Sequence, residues 1–192
     1  MRRAVLLPLP VAVAIAFAGC GNQVKPVSSQ APTPSKETRS LDYPRAGLTL
    51  SLPAELEVAK VGPPGVFRAG VGSGFLSAFA YRRKEQLPRT DTELEDARRR
   101  LVDAAEERGD DYDSVSSSTT EIGGSKAVEL VGDQTISRAR LRTRSLHVYE
   151  GRAEYVIELA VPIEDFDRLD RAVLAPIEAS LEVTGEVRGE GG

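Results

Sequence analysis

The sequence predicts an α+β domain in which helices flank an antiparallel sheet of about six strands. Short segments of alternating apolar and polar residues recur along the chain, and glycine-containing dipeptides separate several of them. This pattern is typical of strands joined by hairpin turns. Two segments with helical spacing interrupt and end the series. Because each offers a single apolar face, we expect them to pack against the sheet.

The composition allows one folded domain and excludes several classes of protein. The chain has 192 residues, one cysteine, one histidine and a formal net charge of -4. One cysteine cannot form an internal disulfide, and a structural zinc site needs about four Cys or His ligands. The acidic balance offers no broad basic surface for nucleic acid. We therefore expect no metal, no cofactor and no nucleic-acid partner.

Residues 1–19 have the order of a secretory signal peptide. Two arginines precede an apolar run over residues 4–17, and the small residues Ala18 and Gly19 follow it. The run is shorter than the roughly 20 residues that a membrane-spanning helix needs, and two prolines interrupt it. The segment therefore predicts export rather than a permanent membrane span.

The only cysteine lies directly after this segment, in the sequence FAGCG at residues 17–21. This motif resembles the lipobox of bacterial lipoproteins, in which signal peptidase II cleaves before a lipid-modified cysteine, here between Gly19 and Cys20. Two or more acyl chains are enough for stable anchoring. The alternative is an ordinary secretory signal with an incidental cysteine. The position of Cys20 favours a lipid anchor on the outer face of the cytoplasmic membrane or cell envelope.

The rest of the chain divides into a tether, a domain and a tail. Residues 20–40 are rich in Ser, Pro, Thr and Gln and have almost nothing to bury, so they predict a disordered tether. As a flexible coil this segment spans on the order of 25 Å. Residues 41–184 form the predicted domain. Residues 185–192 carry four glycines and predict a flexible tail.

Alternation and turn residues place the strands of the domain. The predicted strands are 47–52, 66–69, 75–82, 115–121, 126–131, 134–149 and 154–161. The predicted turns are Gly123-Gly124, Gly132-Asp133 and Glu150-Gly151. The glycine-rich segment at residues 70–74 superficially resembles a phosphate-binding loop, but a strand follows it rather than a helix. We interpret it as a hairpin turn.

The first predicted helix opens at Thr90, with Glu93 three residues later in a capping-box arrangement. Its apolar stripe is Leu94, Ala97, Leu101 and Ala104. On its wet side the spacing predicts the i,i+4 ion pairs Glu95 with Arg99 and Asp96 with Arg100.

The second predicted helix follows Pro162. Its apolar positions at helical spacing are Phe166, Leu169, Val173 and Ile177. Pro176 should kink or restart the helix near its end, because proline lacks the backbone N–H that the helix needs.

The arginine row is the most informative candidate site: Arg138, Arg140, Arg142 and Arg144 alternate with smaller or apolar residues along one predicted strand. All four side chains should project from one face over roughly 20 Å. The row could bind anionic groups of a glycolipid or polymer, or it could be a solvent face with cross-strand partners. After Ser145 the hydrophobic parity changes, which predicts a bulge or the end of regular pairing. One extra residue near Ser145 would set Arg144 opposite Glu158.

Two other features favour structural interpretations. His147 lies in a predicted strand without a second histidine or a nucleophile motif, so we expect a surface or hydrogen-bonded structural histidine. The acidic run between Glu106 and Asp113 lacks the glycine and terminal glutamate of a calcium loop, and we expect a solvated helix exit.

Several segments together resemble mycobacterial and related LpqN-type lipoproteins. They are the lipobox and tether, the opening YPRAGLTLSLP at residues 43–53, the strand YVIEL at 155–159 and the helix end IEASL at 177–181. The resemblance covers residues 41 to about 183 and consists of patterning and spacing. It implies a PsbP-like α-β-α sandwich and a non-catalytic envelope factor, accessory to other proteins or to lipid and cell-wall biogenesis. It carries over no functional residue except Cys20.

The leading expectation is therefore a membrane-anchored, non-catalytic binding or accessory module of the cell envelope. Its partner would be an envelope protein or an anionic glycolipid. The alternative is a carrier that holds a lipid or glycolipid in an internal apolar pocket. An enzyme ranks third, because no spacing places a nucleophile beside a base.

Overall fold

The computed structural model describes residues 33–107 and 111–188. The predicted signal peptide, the cleavage site between Gly19 and Cys20, and most of the predicted tether lie outside these described residues, as does the end of the predicted tail. Within the described ranges, no helix is both long enough and apolar enough to cross a bilayer.

The described residues form ten strands and two helical regions. The strands are β1 (Thr38–Tyr43), β2 (Leu48–Pro53), β3 (Val58–Lys60), β4 (Gly65–Val71), β5 (Gly74–Arg82), β6 (Tyr112–Ile122), β7 (Ser125–Ile136), β8 (Ala139–Glu150), β9 (Ala153–Pro162) and β10 (Glu182–Val183). Helix α1 (Asp91–Glu106) lies between β5 and β6. The C-terminal helical segment consists of a 3-10 turn (Ile163–Asp165), α2 (Phe166–Leu169), a π-helical turn (Asp170–Leu174) and α3 (Ala175–Ser180).

Seven of the described strands form the main antiparallel sheet, in the order β3-β4-β5-β9-β8-β7-β6. A smaller antiparallel sheet has the order β1-β2-β10. Helix α1 covers the β6 and β7 side of one face of the main sheet. The C-terminal helical segment and the small sheet cover the opposite face. The predicted α+β class and α-β-α layering are confirmed.

The main apolar core lies between the main sheet and the C-terminal helical segment. Leu146, Ile157 and Leu159 of the sheet are fully buried, as are Leu174 and Ile177 of the helical segment. A second, smaller cluster lies under α1 and contains Leu94, Val128, Leu130 and Tyr149. Burial on both faces explains why β9 is a nearly continuous apolar segment.

Helix α1 begins as predicted. The Thr90 hydroxyl accepts a hydrogen bond from the Glu93 amide at 3.2 Å, and the Glu93 carboxylate accepts one from the Thr90 amide at 3.0 Å. The predicted i,i+4 ion pairs are wrong. Glu95 instead pairs with Arg98, which also reaches Ser117 of β6, and this contact with the sheet favours the i,i+3 partner.

The remaining ion pair and the apolar stripe of α1 also differ from the prediction by one position. Asp96 pairs with Arg99 rather than Arg100. Near the end of the helix Ala105 is buried, whereas Ala104 is exposed. Packing against the sheet determines how α1 is rotated about its own axis. The buried face at its end is therefore displaced by one residue from the face that ideal helical spacing predicts.

The C-terminal helical segment has the predicted buried face. Its four predicted apolar positions are all buried: Phe166, Leu169, Val173 and Ile177. The predicted restart at Pro176 is confirmed, since α3 begins at Ala175 with Pro176 in its first turn. Pro176 has no backbone N–H to donate, and the turn directly before α3 is π-helical.

Two predicted turns need correction. Gly132-Asp133 lies within β7, where the ring of Tyr112 occupies the space that a side chain at Gly132 would fill. The chain reverses instead at Ser137-Arg138, where φ is 51° and 70°. The β8–β9 turn lies one residue later than predicted, because Glu150 pairs with Ala153.

Other predicted turns are confirmed. Gly123 and Gly124 join β6 to β7 with φ of 58° and 81°, the left-handed conformation that glycine adopts readily. The glycine-rich segment at residues 70–74 is a hairpin turn, since Val71 of β4 pairs with Gly74 of β5.

The folded domain extends beyond both predicted boundaries. Strand β1 begins at Thr38, inside the predicted tether, because its backbone pairs with β2. At the other end, the Arg188 amide donates a hydrogen bond to the Arg45 carbonyl at 2.9 Å, and Val187 packs against the core. Backbone hydrogen bonds hold both of these polar segments on the domain, although the segments bury few side chains.

Candidate functional site

Three of the four residues of the predicted arginine row form ion pairs: Arg140, Arg142 and Arg144. Arg138 lies in the β7–β8 turn and not in the strand. Arg140 pairs with Asp113 of β6. Arg142 binds Asp133 of β7 in a bidentate arrangement at 2.7 and 3.0 Å, and Phe166 lies under its guanidinium at 5.7 Å.

Arg144 connects the sheet to the C-terminal helical segment. Its guanidinium donates to Glu129 at 2.8 Å, to Asp170 at 3.1 Å and to Glu178 at 2.9 Å. Burial alone would lower the pKa of Arg144, but hydrogen bonds and charge from Glu129 and Asp170 outweigh burial and raise it. This part of the row stabilises the fold.

The predicted bulge or end of regular pairing after Ser145 is wrong. Pairing between β8 and β9 is continuous, with Arg144 opposite Leu159 and Ser145 opposite Glu158. The parity changes for another reason: Leu146 and Val148 lie on the same face as the arginines, beneath the C-terminal helical segment. The segment covers only part of this face, and at its margin Arg144 binds two of its carboxylates, Asp170 and Glu178.

The opposite face of the main sheet carries the stronger candidate site. Helix α1 leaves a cleft of about 410 Å³ over β5, β9 and β8, which we call the His147 cleft. The cleft contains polar side chains, among them Arg83, His147 and Glu154, and apolar side chains such as Phe79 and Leu101. Such a mixture suits a ligand with both apolar and hydrogen-bonding surfaces.

A buried ionic cluster forms one wall of this cleft. The Glu154 carboxylate, whose side chain is 6% exposed, lies 2.8 Å from His147 Nδ1 and accepts a hydrogen bond from Arg83 Nε at 2.6 Å. Burial raises the pKa of Glu154, but its contacts with His147 and Arg83 outweigh burial and bring the pKa below its ordinary value. Glu154 is therefore held as a carboxylate.

An aromatic pair forms the adjoining wall. The rings of Phe79 and Tyr81 stack at 6.1 Å with an interplanar angle of 20°. The guanidinium of Arg83 lies 4.8 Å from the centre of the Tyr81 ring, within the range of a cation–π contact. Burial, followed by the charge of Glu154, raises the pKa of Tyr81 above its ordinary value.

A buried hydroxyl lies beside the cleft on the same face. Ser77 is 3% exposed, and within the described residues its Oγ has no hydrogen-bond partner. In the sheet register Ser77 lies opposite Glu158, which in turn lies opposite Ser145. A buried hydroxyl without a hydrogen-bond partner costs free energy. Ser77 therefore adds a second unusual polar group to the face that carries the cleft.

The depressed pKa of Glu154 predicts a specific acid dependence. A carboxyl group whose pKa is lower in the folded state contributes stability above its unfolded pKa and loses it as pH falls through the folded pKa. We expect Glu154→Gln to lower the free energy of unfolding by about 2 kcal/mol at pH 6. This difference should shrink towards pH 3, as measured by urea unfolding.

Glu57→Gln provides the control for this measurement, because Glu57 is exposed. We expect it to change the free energy of unfolding little at any pH. A difference between wild type and Glu154→Gln that stays constant from pH 6 to pH 3 would contradict the assignment.

Of the ionic cluster in the cleft, sequence reasoning identified only His147. His147 is the hydrogen-bonded structural histidine that was expected. Glu154 and Arg83 were missed, although alternation along β9 would have placed Glu154 on the face opposite Tyr155. The predicted acidic run ends at Asp113, which binds Arg140, while Asp110 lies outside the described residues. In the described ranges, no cluster of His, Cys, Asp or Glu could hold a metal ion.

Comparison with solved structures identifies the architecture. The solution structure of cyanobacterial PsbP (CyanoP) from Synechocystis sp. PCC 6803 matches with a TM-score of 0.58 at 12% sequence identity. The match covers 82% of this chain and 99% of that chain. The chain has the PsbP fold.

A second solved structure has the same general arrangement. A crystal structure from Bacteroides thetaiotaomicron VPI-5482 matches with a TM-score of 0.51 at 16% identity, over 80% of this chain and 50% of that chain. No protein-family model and no curated protein matches the sequence. The PsbP-like sandwich expected from the sequence is confirmed, and the His147 cleft lies on the α1 side of that fold.

Proposed function

We propose that this chain is a lipid-anchored, extracytoplasmic module of the cell envelope that binds or assists other molecules and has no chemistry of its own. The observation that carries this proposal is the state of the charged groups in the His147 cleft. Glu154 is held ionised by His147 and Arg83. A general acid or base needs a pKa near the working pH, whereas this carboxylate is locked into the framework of the cleft.

The PsbP fold and the sequence resemblance support the same proposal. The resemblance to LpqN-type lipoproteins implies an accessory role, and a PsbP-like sandwich is the fold that this resemblance implies. Cys20 in its lipobox supplies the anchor in this proposal. Thr33 contacts Arg168 and Ser35 contacts Glu55, so the chain joins the domain at the end where β1 begins. The anchor would hold that end towards the membrane.

The carrier alternative has less support from the packing. A carrier needs an apolar space that its own side chains leave free. The layer between the main sheet and the C-terminal helical segment is filled by side chains with no exposed surface, including Tyr155, Ile157 and Leu174. The His147 cleft is a surface feature lined by polar as well as apolar groups. We therefore rank a binding or accessory module above a carrier.

The anionic-ligand interpretation of the arginine row also loses support, because Arg140, Arg142 and Arg144 have carboxylate partners. An envelope protein is accordingly the partner that we favour over an anionic glycolipid. Charge reversal at Arg140 and Arg142 still tests the glycolipid directly, since unchanged affinity in that double variant would remove it.

The anchor is tested by Cys20→Ser. We expect the wild-type protein to be found in the membrane fraction, with a denatured mass equal to residues 20–192 plus the acyl groups. The variant should lose these acyl groups and the cleavage, because the thiol that carries the diacylglyceryl group is absent. Denaturing mass spectrometry and membrane fractionation check both results.

Gly21→Ala is the matched control, because it changes the neighbouring residue and leaves the thiol in place. An unchanged mass and membrane fraction for Cys20→Ser would refute the anchor. Native mass spectrometry of the same wild-type sample separates the two functions: an additional discrete lipid-sized mass would favour the carrier.

A further inference from the structure

A second cavity lies at the end of the domain where the β1–β2 turn, the β3–β4 loop and the last described residues meet. This end groove has a volume of about 740 Å³. Its apolar walls are formed by Tyr43, Pro63, Pro64, Val66 and Val187. Val61, at the edge of the groove, is 39% exposed, which makes it one of the few large apolar side chains exposed in the described residues.

The walls of the end groove are held by backbone and ring contacts. Tyr43 stacks on the buried ring of Phe67 at 5.5 Å. The Ala80 amide donates to the Pro64 carbonyl at 2.9 Å. The Arg188 amide donates to the Arg45 carbonyl at the same distance. Because these contacts join the walls to the sheets and to one another, the groove is formed before any partner binds, which lowers the entropic cost of binding.

The charges of the end groove are opposite in sign to the charge of the whole chain. Arg45, Lys60 and Arg188 line it, with Asp42 as the opposing carboxylate. Within residues 33–107 and 111–188, neither Arg45 nor Lys60 forms an ion pair, and Arg188 lies 3.9 Å from Glu186, which is itself exposed. The chain as a whole has a net charge of -4. This cationic, partly apolar groove complements an acidic partner with apolar side chains.

The position of the groove favours a protein over a membrane lipid. The chain joins the domain near Thr38, whereas the groove begins at Asp42 and Tyr43, at the other end of β1. The six residues of β1 separate the two ends by about 17 Å. If the anchor holds the Thr38 end towards the membrane, the groove faces away from the bilayer and towards other envelope proteins.

We propose that the end groove docks an extended acidic segment of a partner protein, with apolar side chains of that segment against Tyr43, Pro64 and Val187. Arg45 and Lys60 bind its carboxylates. This inference deepens the proposed accessory function and, for the orientation of the groove, rests on the proposed anchor. It assigns the partner surface to a different part of the domain from the His147 cleft.

The test uses the full-length chain in phosphatidylcholine nanodiscs and fluorescein-labelled peptides, with anisotropy as the readout. We expect a peptide of three Glu-Leu repeats to bind, and a peptide of three Lys-Leu repeats not to bind. A peptide of three Glu-Ser repeats should bind more weakly, because it has no apolar side chains to bury against the apolar walls of the groove. Arg45→Glu combined with Lys60→Glu should weaken binding of the Glu-Leu peptide about ten-fold or more.

Arg99→Glu combined with Arg171→Glu is the matched control. It changes the net charge equally at exposed positions that do not line the groove, and we expect a change within about two-fold. Equal losses in the two double variants would overturn the proposal, because they would indicate a general charge effect. Displacement of the peptide by oleate at lower concentration than by unlabelled peptide would assign the groove to a lipid instead.

Failure of this inference can be told apart from failure of the proposed function. The denatured mass of the same nanodisc sample reports acylation at Cys20 independently of peptide binding. An acylated protein that does not bind the Glu-Leu peptide overturns the docking proposal alone.

Discussion

Arg144→Ala should lower the free energy of unfolding by about 3 kcal/mol, as measured by urea unfolding at neutral pH. The Arg144 side chain is 13% exposed and is shared by Glu129, Asp170 and Glu178. Its removal leaves three neighbouring carboxylates at the junction of the sheet and the C-terminal helical segment. No cation then offsets the repulsion among these carboxylates. We expect most of the lost free energy to reflect weaker packing of the C-terminal helical segment on the sheet.

Arg140→Ala is the matched control in the same strand. Its partner, Asp113, is 74% exposed, so we expect the free energy of unfolding to fall by less than about 1 kcal/mol. A further variant separates the effect of charge from that of packing. We expect Arg144→Met combined with Glu129→Gln, Asp170→Asn and Glu178→Gln to recover part of the lost free energy of unfolding. Equal stabilities of Arg144→Ala and Arg140→Ala would refute the central role of Arg144.

Gly74→Ala should destabilise the domain by about 3 kcal/mol, whereas Gly70→Ala should have almost no effect. A Cβ at Gly74 would collide with the carbonyl oxygen of Ala160 and lie 2.8 Å from the Cα of Val161. These are backbone atoms of the neighbouring strand, so relief requires movement of the sheet. A Cβ at Gly70 meets nothing within 4 Å.

Thermal unfolding of the two variants checks this pair. Both glycines belong to the same hairpin, and neither has the left-handed φ that would make any side chain costly. We expect Gly70→Ala to leave the melting temperature unchanged or to raise it slightly, since alanine restricts the unfolded chain. A larger loss for Gly70→Ala than for Gly74→Ala would show that the close approach of β9 is not what requires glycine.

The candidate sites show where sequence reasoning stops. The arginine row was predictable as a same-face pattern because strand periodicity determines side-chain direction. Its partners were not predictable, since Asp170 and Glu178 lie 26 and 34 positions further along the chain. The predicted bulge failed for the same reason. Parity along β8 changes because the C-terminal helical segment covers part of a continuous face, and the extent of that cover is a tertiary property.

The sequence by itself determined the features that depend on neighbouring residues. The capping box at Thr90, the buried face of the C-terminal helical segment, the restart at Pro176 and the glycine turn at Gly123-Gly124 all follow from local spacing and backbone conformation. The α+β class follows from their order. The signal peptide and the lipidation of Cys20 stay predictions from local motifs.

Only the tertiary structure decided which polar side chains meet. Arg83 lies directly after β5, His147 lies in β8 and Glu154 lies in β9, and the end groove is built from segments that are remote in sequence. Strand order and register bring such residues together, and they are set by burial summed over the whole sheet. No short window of sequence contains that sum, so the cleft could not be predicted. The fold class could be predicted, because it depends only on the order of the helices and strands.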